Sequence, residues 1–177
     1  MVLERLAAHL LATGLARTSL RELAVAAGVS DRMLIYYFND KAEILAEAVA
    51  LVAGQLAVSL GTAIPEGTVL PPAQLADRAA EITTRPGLRP YMRLWIEIAA
   101  AAARREEPFP GIAAQIMAGF RAWIEPRLDV ANEKERASAA LAVIAICDGL
   151  ALIDICAGDD AIEAARSALP LGPRQRR

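Results

Sequence analysis

Apolar residues recur at helical spacing along most of the chain, and the alternation of polar and apolar residues that is typical of strands is nearly absent. Over residues 2–13 this spacing places leucines on one side of a predicted first helix, which Gly14 ends. Alanine, the strongest helix former, dominates the composition. The pattern therefore predicts an all-α fold.

Residues 19–41, SLRELAVAAGVSDRMLIYYFNDK, predict two short helices joined by a tight turn. Ser19 followed three residues later by Glu22 is a capping box, which begins a helix. Gly28 supplies the left-handed conformation that ends this helix, and Ser30 can cap the next one, which runs to about residue 38. Two helices in this arrangement form a helix-turn-helix.

The second of these helices has two different faces. At 100° per residue, a stripe roughly 40° wide is predicted to pack on the first helix and consists of Ser30, Leu34 and Phe38. About 160° to 200° away lie Arg32 and Tyr36, flanked by Met33 and Ile35. A large, aromatic face with an arginine is typical of a helix that enters the major groove of DNA. Periodicity alone also allows a helical hairpin that packs on another surface.

Asp40 with Glu43 repeats the capping pattern and begins a helix that continues to about residue 60. This helix is longer than a DNA-binding module needs, so it must join a second core. Residues 61–72 are a break rich in proline and glycine, and further helices are predicted at 73–84, 90–105, 111–128, 132–156 and 159–169. The tail that contains Arg174, Arg176 and Arg177 is predicted to be disordered.

The predicted helix at 132–156 is apolar around its whole circumference. One heptad-like seam consists of Leu141, Ala145, Asp148, Leu152 and Ile155. A helix that is apolar all round is buried all round, and one chain of this size has few elements left to cover the second side. We therefore expect a homodimer through residues 132–169, with Leu141, Ala145, Leu152 and Ile155 at the interface.

Bulky side chains outside the N-terminal module cluster on two predicted helices and are Tyr91, Met92, Trp95, Met117, Phe120 and Trp123. Helical spacing and aromatic bulk are sufficient to explain them as ordinary core. The alternative is an apolar ligand pocket, for which Glu97, Gln115, Asp148 and Asp154 could provide polar groups. The sequence does not identify the ligand.

Composition limits the other classes of function. The net charge of −2 argues against a protein that coats nucleic acid generally, although a local DNA site is compatible with it. The chain has one histidine, His9, which is too few for a histidine dyad or a histidine-rich metal site. We therefore expect no catalytic residues, metal or cofactor. Cys147 and Cys156 would lie about 13 Å apart on one helix, too far to pair with each other.

Membrane and secretory interpretations are disfavoured. The apolar run at 137–157 contains Asp148 and Asp154, each of which costs about 2.5 to 3.5 kcal/mol at a bilayer centre. No signal peptide precedes the first helix, where Glu4 and Arg5 interrupt the apolar residues. We therefore expect a cytoplasmic protein.

The run TSLRELAVAAGVSDRMLIYYFNDKAEIL resembles the DNA-binding segment of the TetR family of transcriptional repressors. The resemblance covers roughly the first quarter of the chain and includes the capped helix, the Ala-Gly-Val-Ser turn and Lys41. It implies that phosphates are held by Ser19, Ser30, Tyr37 and Lys41, and that the bases are faced by Arg32, Met33, Ile35 and Tyr36. It also implies dimerisation through the last two long helices and a ligand pocket among the helices that carry the bulky side chains. The residues that we predict for this pocket are Tyr91, Met92, Trp95, Met117, Phe120, Trp123 and Asp148.

The sequence thus predicts a helix-turn-helix domain over residues 1–45, joined by a long helix to a larger helical ligand-binding and dimerisation domain over 46–177. The expected function is a ligand-responsive repressor that binds a palindromic DNA operator as a homodimer and is released by a small apolar or amphipathic effector. Two alternatives remain. An enzyme has little support, because phosphate-binding glycine loops and nucleophile elbows are missing from the sequence. A helical protein-interaction module would be indifferent to DNA.

Overall fold

The computed structural model describes residues 1–169, and these residues are helical apart from turns and one isolated bridge between Leu70 and Leu128. The helices are α1 (Val2–Thr13), α2 (Leu20–Ala27), α3 (Asp31–Tyr37), α4 (Lys41–Ala63), α5 (Pro72–Thr83), α6 (Arg89–Ala103), α7 (Phe109–Ile124), α8 (Glu133–Ala157) and α9 (Asp159–Ala168). The predicted all-α fold is confirmed. The predicted tail with Arg174, Arg176 and Arg177 lies outside the described residues.

The largest differences between predicted and observed helix ends are at the ends of α4 and α7. Helix α4 continues to Ala63, because the alanine and leucine pattern carries it past Gly61. Helix α7 ends at Ile124 rather than near residue 128, and a 3-10 turn, Glu125–Arg127, follows it. Pro126 accounts for the second difference, since it has no N–H to continue the α-helical hydrogen bonds.

The chain forms two compact units. The first comprises Met1–Leu56 with Arg93–Met117, and the second comprises Ala57–Met92 with the chain from Ala118 onward. The predicted domain boundary after residue 45 falls within α4 and stays a prediction.

The first unit is built on fully buried leucines and isoleucines from α1 to α4 and from α6. Its largest buried side chains are Leu6, Leu10, Leu23, Leu34, Ile44, Leu45, Leu94 and Ile98. They recur at the helical spacing visible in the sequence, so each helix turns one apolar face inward. This core fixes the relative positions of α2 and α3.

The second unit packs α5 and α9 against α8. Arg127 is buried here, with its guanidinium 4.0 Å from the centre of the Trp123 ring and hydrogen bonds to the Trp123 and Ile64 carbonyls. Asp154 of α8 is also buried and accepts two hydrogen bonds from Arg89, at 2.6 and 2.8 Å. Asp154 is therefore a structural anion.

Two of the described helices, α4 and α8, are long and apolar enough to cross a membrane by length and composition alone. This is a weak indication, because the core helix of a globular protein passes the same test. The paired position of Asp154 agrees with the interpretation of α8 as a buried helix.

Candidate DNA-binding surface

The capping box at the start of α2 is present as predicted. The Ser19 hydroxyl accepts a hydrogen bond from the Glu22 amide, and the Glu22 carboxylate accepts from the Ser19 amide at 3.2 Å and the Ser19 hydroxyl at 2.7 Å. The Arg17 guanidinium adds a contact to the same carboxylate at 3.0 Å. Hydrogen bonds from Ser19, and then from Arg17, lower the pKa of Glu22 from 4.5 to about 2. The start of α2 is therefore held by a charged carboxylate.

This arrangement predicts an acid-sensitive helix start. Because the folded pKa of Glu22 lies below the unfolded value of 4.5, its stabilisation is fully present above that pH and is lost as the pH falls towards 2. We expect the Glu22 carboxyl carbon to titrate near pH 2 in ¹³C NMR spectra, and Ser19→Ala to raise that midpoint. The control is Ser138→Ala, whose hydroxyl bonds to Lys134 in α8. A midpoint that Ser19→Ala leaves unchanged would contradict the assignment.

The turn between α2 and α3 depends on a contact that the motif itself does not reveal. Gly28 adopts φ 73° and ψ 32°, and its amide bonds back to the carbonyls of Ala24 and Val25. Arg5 of α1 donates to the Ala27 carbonyl at 3.1 Å, and a β-carbon on Gly28 would lie 2.3 Å from the Arg5 guanidinium. Arg5 therefore fixes the turn. Sequence reasoning missed this role, because Arg5 precedes its partner by 22 residues.

Helix α3 packs through fewer residues than the sequence predicted. Leu34 is completely buried and Phe38 is half-buried, but Ser30 is exposed. The prediction that Ser30 belongs to the core stripe is wrong, because it is the N-cap residue and its hydroxyl accepts from the Met33 amide at 3.2 Å. The predicted capping role of Ser30 is confirmed.

The residues predicted to contact DNA are exposed on α3 and on the helix ends beside it. They are Ser19, Ser30, Arg32, Met33, Ile35, Tyr36, Tyr37 and Lys41. Tyr36 is 82% exposed, and its ring meets that of Tyr37 edge to face with centres 5.8 Å apart. Within residues 1–169, Arg32 has no hydrogen bond or ion pair. Large apolar and aromatic side chains exposed together mark an interaction surface.

Lys41 is the first residue of α4 and is also exposed. Two hydrogen bonds hold the preceding turn: Asp40 accepts from the Glu43 amide at 2.8 Å, and Glu43 accepts from the Asn39 amide at 2.6 Å. The predicted Asp40–Glu43 capping pattern is therefore present, although Glu43 reaches back to Asn39. Lys41 thus holds its charge at the positive end of a helix, where an anion is favoured.

Helix α6 is tied to the end of α1 by two of its side chains. Arg93 donates to the carbonyls of Leu11 and Ala12, at 2.8 and 3.2 Å, and Glu97 accepts from the Leu15 amide at 2.6 Å. A β-carbon on Gly14, whose φ is +64°, would lie 2.3 Å from the Glu97 carboxylate. We call these contacts of Arg93 and Glu97 the α6 clamp. The sequence analysis proposed Glu97 as a polar group of the ligand pocket, but in the structure its carboxylate is already bonded to the Leu15 amide.

The residues predicted for a ligand pocket lie on three helices. Tyr91, Met92 and Trp95 are on α6, Met117, Phe120 and Trp123 are on α7, and Asp148 is on α8. Met92 is buried and the other six residues are half-buried. Trp123 is covered by Arg127, and Asp154, another proposed ligand group, is paired with Arg89. The pocket stays a prediction.

The residues predicted for dimerisation share one exposed side of α8. Leu141 and Leu152 are each 48% exposed, and Ala145 and Ile155 are also exposed. The other sides of the helix bury Val143, Ile144, Leu150 and Ala151. We call the exposed residues Leu141, Ala145, Leu152 and Ile155 the α8 stripe.

Within residues 1–169, no group of three or more His, Cys, Asp or Glu side chains is arranged to hold a metal ion. Cys147 is buried, and burial followed by the nearby Asp148 charge raises the pKa of its thiol to about 12. His9 bonds instead to the Arg17 carbonyl, at 2.8 Å. His9 therefore has a structural partner, and burial keeps the Cys147 thiol protonated.

Residues 5–48 match the family model described as bacterial regulatory proteins, tetR family. Over this stretch the chain is similar to the DNA-binding domain of TetR-family regulators. The match begins at Arg5 and ends within α4, so it contains the helix-turn-helix and Lys41. No curated protein is significantly similar to the chain in sequence.

Solved structures of similar fold cover almost the whole chain. A transcriptional regulator from Rhodococcus sp. Rha1 is 25% identical with a TM-score of 0.71, and the alignment covers 93% of this chain and 91% of that one. A putative transcriptional regulator from Saccharomonospora viridis in complex with choline is 17% identical, with a TM-score of 0.62 and coverage of 94% and 90%. The multidrug-binding protein EbrR complexed with imidazole is 19% identical, with a TM-score of 0.63 and coverage of 99% and 96%. The similarity of fold to these proteins therefore extends beyond the N-terminal domain.

Proposed function

We propose that this TetR-family transcriptional regulator is a cytoplasmic repressor that binds a palindromic operator as a homodimer and is released by a small apolar or amphipathic effector. The observation that carries the proposal is the exposed face of α3, which presents Arg32 and Tyr36 on a helix anchored by Leu34. A protein-interaction module that uses the same face is the alternative. TetR-family regulators are generally not enzymes.

Operator binding is expected to combine contacts that recognise bases with contacts that hold phosphates. Arg32 has an uncommitted guanidinium that can bond in bidentate fashion to guanine, and Ile35 can meet a thymine methyl group. Lys41 and the hydroxyls of Ser30 and Tyr37 can hold phosphates, which fix the register without reading sequence. Two such helices in a symmetric dimer would read two half-sites, which explains why we expect a palindrome.

The proposed response to an effector uses the α6 clamp. Trp95 lies between Arg93 and Glu97 on α6, so a ligand that displaces this part of the helix would move both side chains relative to α1. The ligands choline and imidazole in two structures of similar fold support small-molecule binding as a class. The effector would change operator occupancy if it bound the DNA-free conformation more tightly than the DNA-binding conformation, by about 1 to 3 kcal/mol.

The test is selection of bound sequences from random duplex DNA, followed by affinity measurements on the selected operator. Arg32→Ala should cost about 1 to 3 kcal/mol and relax the preference mainly at one base pair per half-site. Lys41→Ala should weaken all sequences similarly and reduce the salt dependence by about one unit per lost contact, or about two in a dimer.

The matched control is Arg78→Ala, an exposed arginine on α5 outside the helix-turn-helix. It should leave base preference and salt dependence unchanged. Uniform weakening by Arg32→Ala with the base preference intact would show that Arg32 holds a phosphate. Failure to select any sequence would favour the interaction module.

A further inference from the structure

The first unit contains an open cavity of about 630 Å³ beside the DNA-binding surface. Its walls come from the turn after α1, the start of α4, the second half of α6 and the segment that leads into α7. Ligand sites of small molecules commonly measure about 300 to 1,000 Å³. This cavity is therefore large enough for a ligand, and it shares Lys41 with the proposed phosphate contacts.

The cavity combines apolar walls with charges of both signs. Leu15, Leu45 and Phe109 contribute apolar surface, and charged groups come from Lys41, Arg104, Glu97, Glu106 and Glu107. Arg104 and Glu106 are committed to each other through two contacts. Within residues 1–169, Lys41 and Glu107 have no hydrogen bond or ion pair. The cavity thus presents one uncommitted cation and one uncommitted carboxylate.

These charges select a chemical class. A simple anion would be attracted by Lys41 and repelled by Glu97 and Glu107, whereas a simple cation would be attracted by these carboxylates and repelled by Lys41. A molecule that carries both charges on an apolar chain can satisfy Lys41 and Glu107 together and cover the apolar walls. Both Lys41 and Glu107 are exposed, so both charges are accessible to such a molecule.

We propose that this cavity binds a small zwitterion with an apolar chain, its carboxylate on Lys41 and its ammonium on Glu107. The consequence for DNA rests on the proposed function, in which Lys41 holds an operator phosphate. A bound carboxylate takes the place of that phosphate, so the zwitterion weakens operator binding by competition at Lys41. Its lining includes none of the bulky residues predicted for the ligand pocket, although Glu97 was proposed as a polar group of that pocket.

The first experiment uses DNA-free protein and a series of amino acids of increasing chain length. Binding of 4-aminobutanoate, 6-aminohexanoate and 8-aminooctanoate is measured by amide chemical shifts, with hexanoate and hexylamine as single-charge controls. At least one amino acid should bind about ten-fold more tightly than both controls. In the Lys41→Met variant, this amino acid should bind no more tightly than hexylamine. In the Glu107→Gln variant, it should bind no more tightly than hexanoate. The proposed site would be refuted if all probes bound with equal affinity. It would also be refuted if the amide chemical shifts changed only at residues outside the cavity.

The second experiment measures operator affinity with and without the best probe. The probe should raise the operator Kd about 5-fold or more and should lower the steepness of salt dependence, because a phosphate contact is lost. Lys41→Met should make operator binding insensitive to the probe. A probe that binds the cavity but leaves the operator Kd unchanged would overturn the competition. Failure of the protein to bind any DNA would instead refute the proposed function, since the first experiment needs no DNA.

Discussion

Arg89→Met is expected to lower the free energy of unfolding by about 3 kcal/mol. Arg89 donates to both carboxylate oxygens of Asp154 and to Asp159 at 2.6 Å, and the Asp154 side chain is only 2% exposed. Removing the arginine leaves a buried carboxylate without its cation. The expected loss lies at the low end of the range for buried pairs because Arg89 itself is 40% exposed and partly screened by water.

The measurement is urea unfolding at fixed protein concentration, since the proposed dimerisation would make stability depend on concentration. The matched control is Arg85→Met, which breaks the exposed pair with Glu81 and should cost about 0.5 kcal/mol or less. Adding Asp154→Leu to Arg89→Met should recover most of the loss, because an apolar pair of similar volume often replaces a buried ion pair. If the two arginine variants lose equal stability, the Asp154 pair has no special role.

Leu141→Arg combined with Leu152→Arg is expected to convert the proposed dimer to monomers and to abolish the proposed operator binding. Both leucines are half-exposed on the α8 stripe, where the proposed partner would cover them. Each arginine would be buried without a countercharge in the interface, at about 2 to 5 kcal/mol per buried unpaired charge. A monomer can hold only one half-site and therefore loses most of the affinity for a palindrome.

Light scattering on purified protein measures the oligomeric state, and circular dichroism shows whether the helices are retained. Val58→Arg is the matched control, because Val58 is an exposed apolar residue of α4 outside the α8 stripe. It should leave the dimer intact. A soluble dimer of the double leucine variant would show that the interface lies elsewhere.

Local features of the fold could be predicted from the sequence because their partners are neighbours in the chain. The Ser19–Glu22 box and the left-handed Gly28 depend on spacings of a few residues, and both are present. Ser30 shows the limit of periodicity, since an N-cap residue points its hydroxyl at the helix end even when its angle places it on the core stripe.

Partners that are distant in the chain could not be predicted in this way. Arg89 and Asp154 are separated by 65 residues, and Glu97 and Leu15 by 82, so only the packed helices bring them together. Sequence reasoning assigned Asp154 and Glu97 to a possible ligand site as polar groups. In the structure the partner of each carboxylate is part of the chain.

Gly14 has a consequence for the order in which this protein can evolve. A side chain at residue 14 would overlap the Glu97 carboxylate and would also have to adopt a φ of +64°, which L residues rarely do. Shortening residue 97 removes the overlap, whereas changing residue 14 first creates it. In lineages related to this chain, the loss of Glu97 should therefore precede or accompany any loss of Gly14, and the reverse order should be rare.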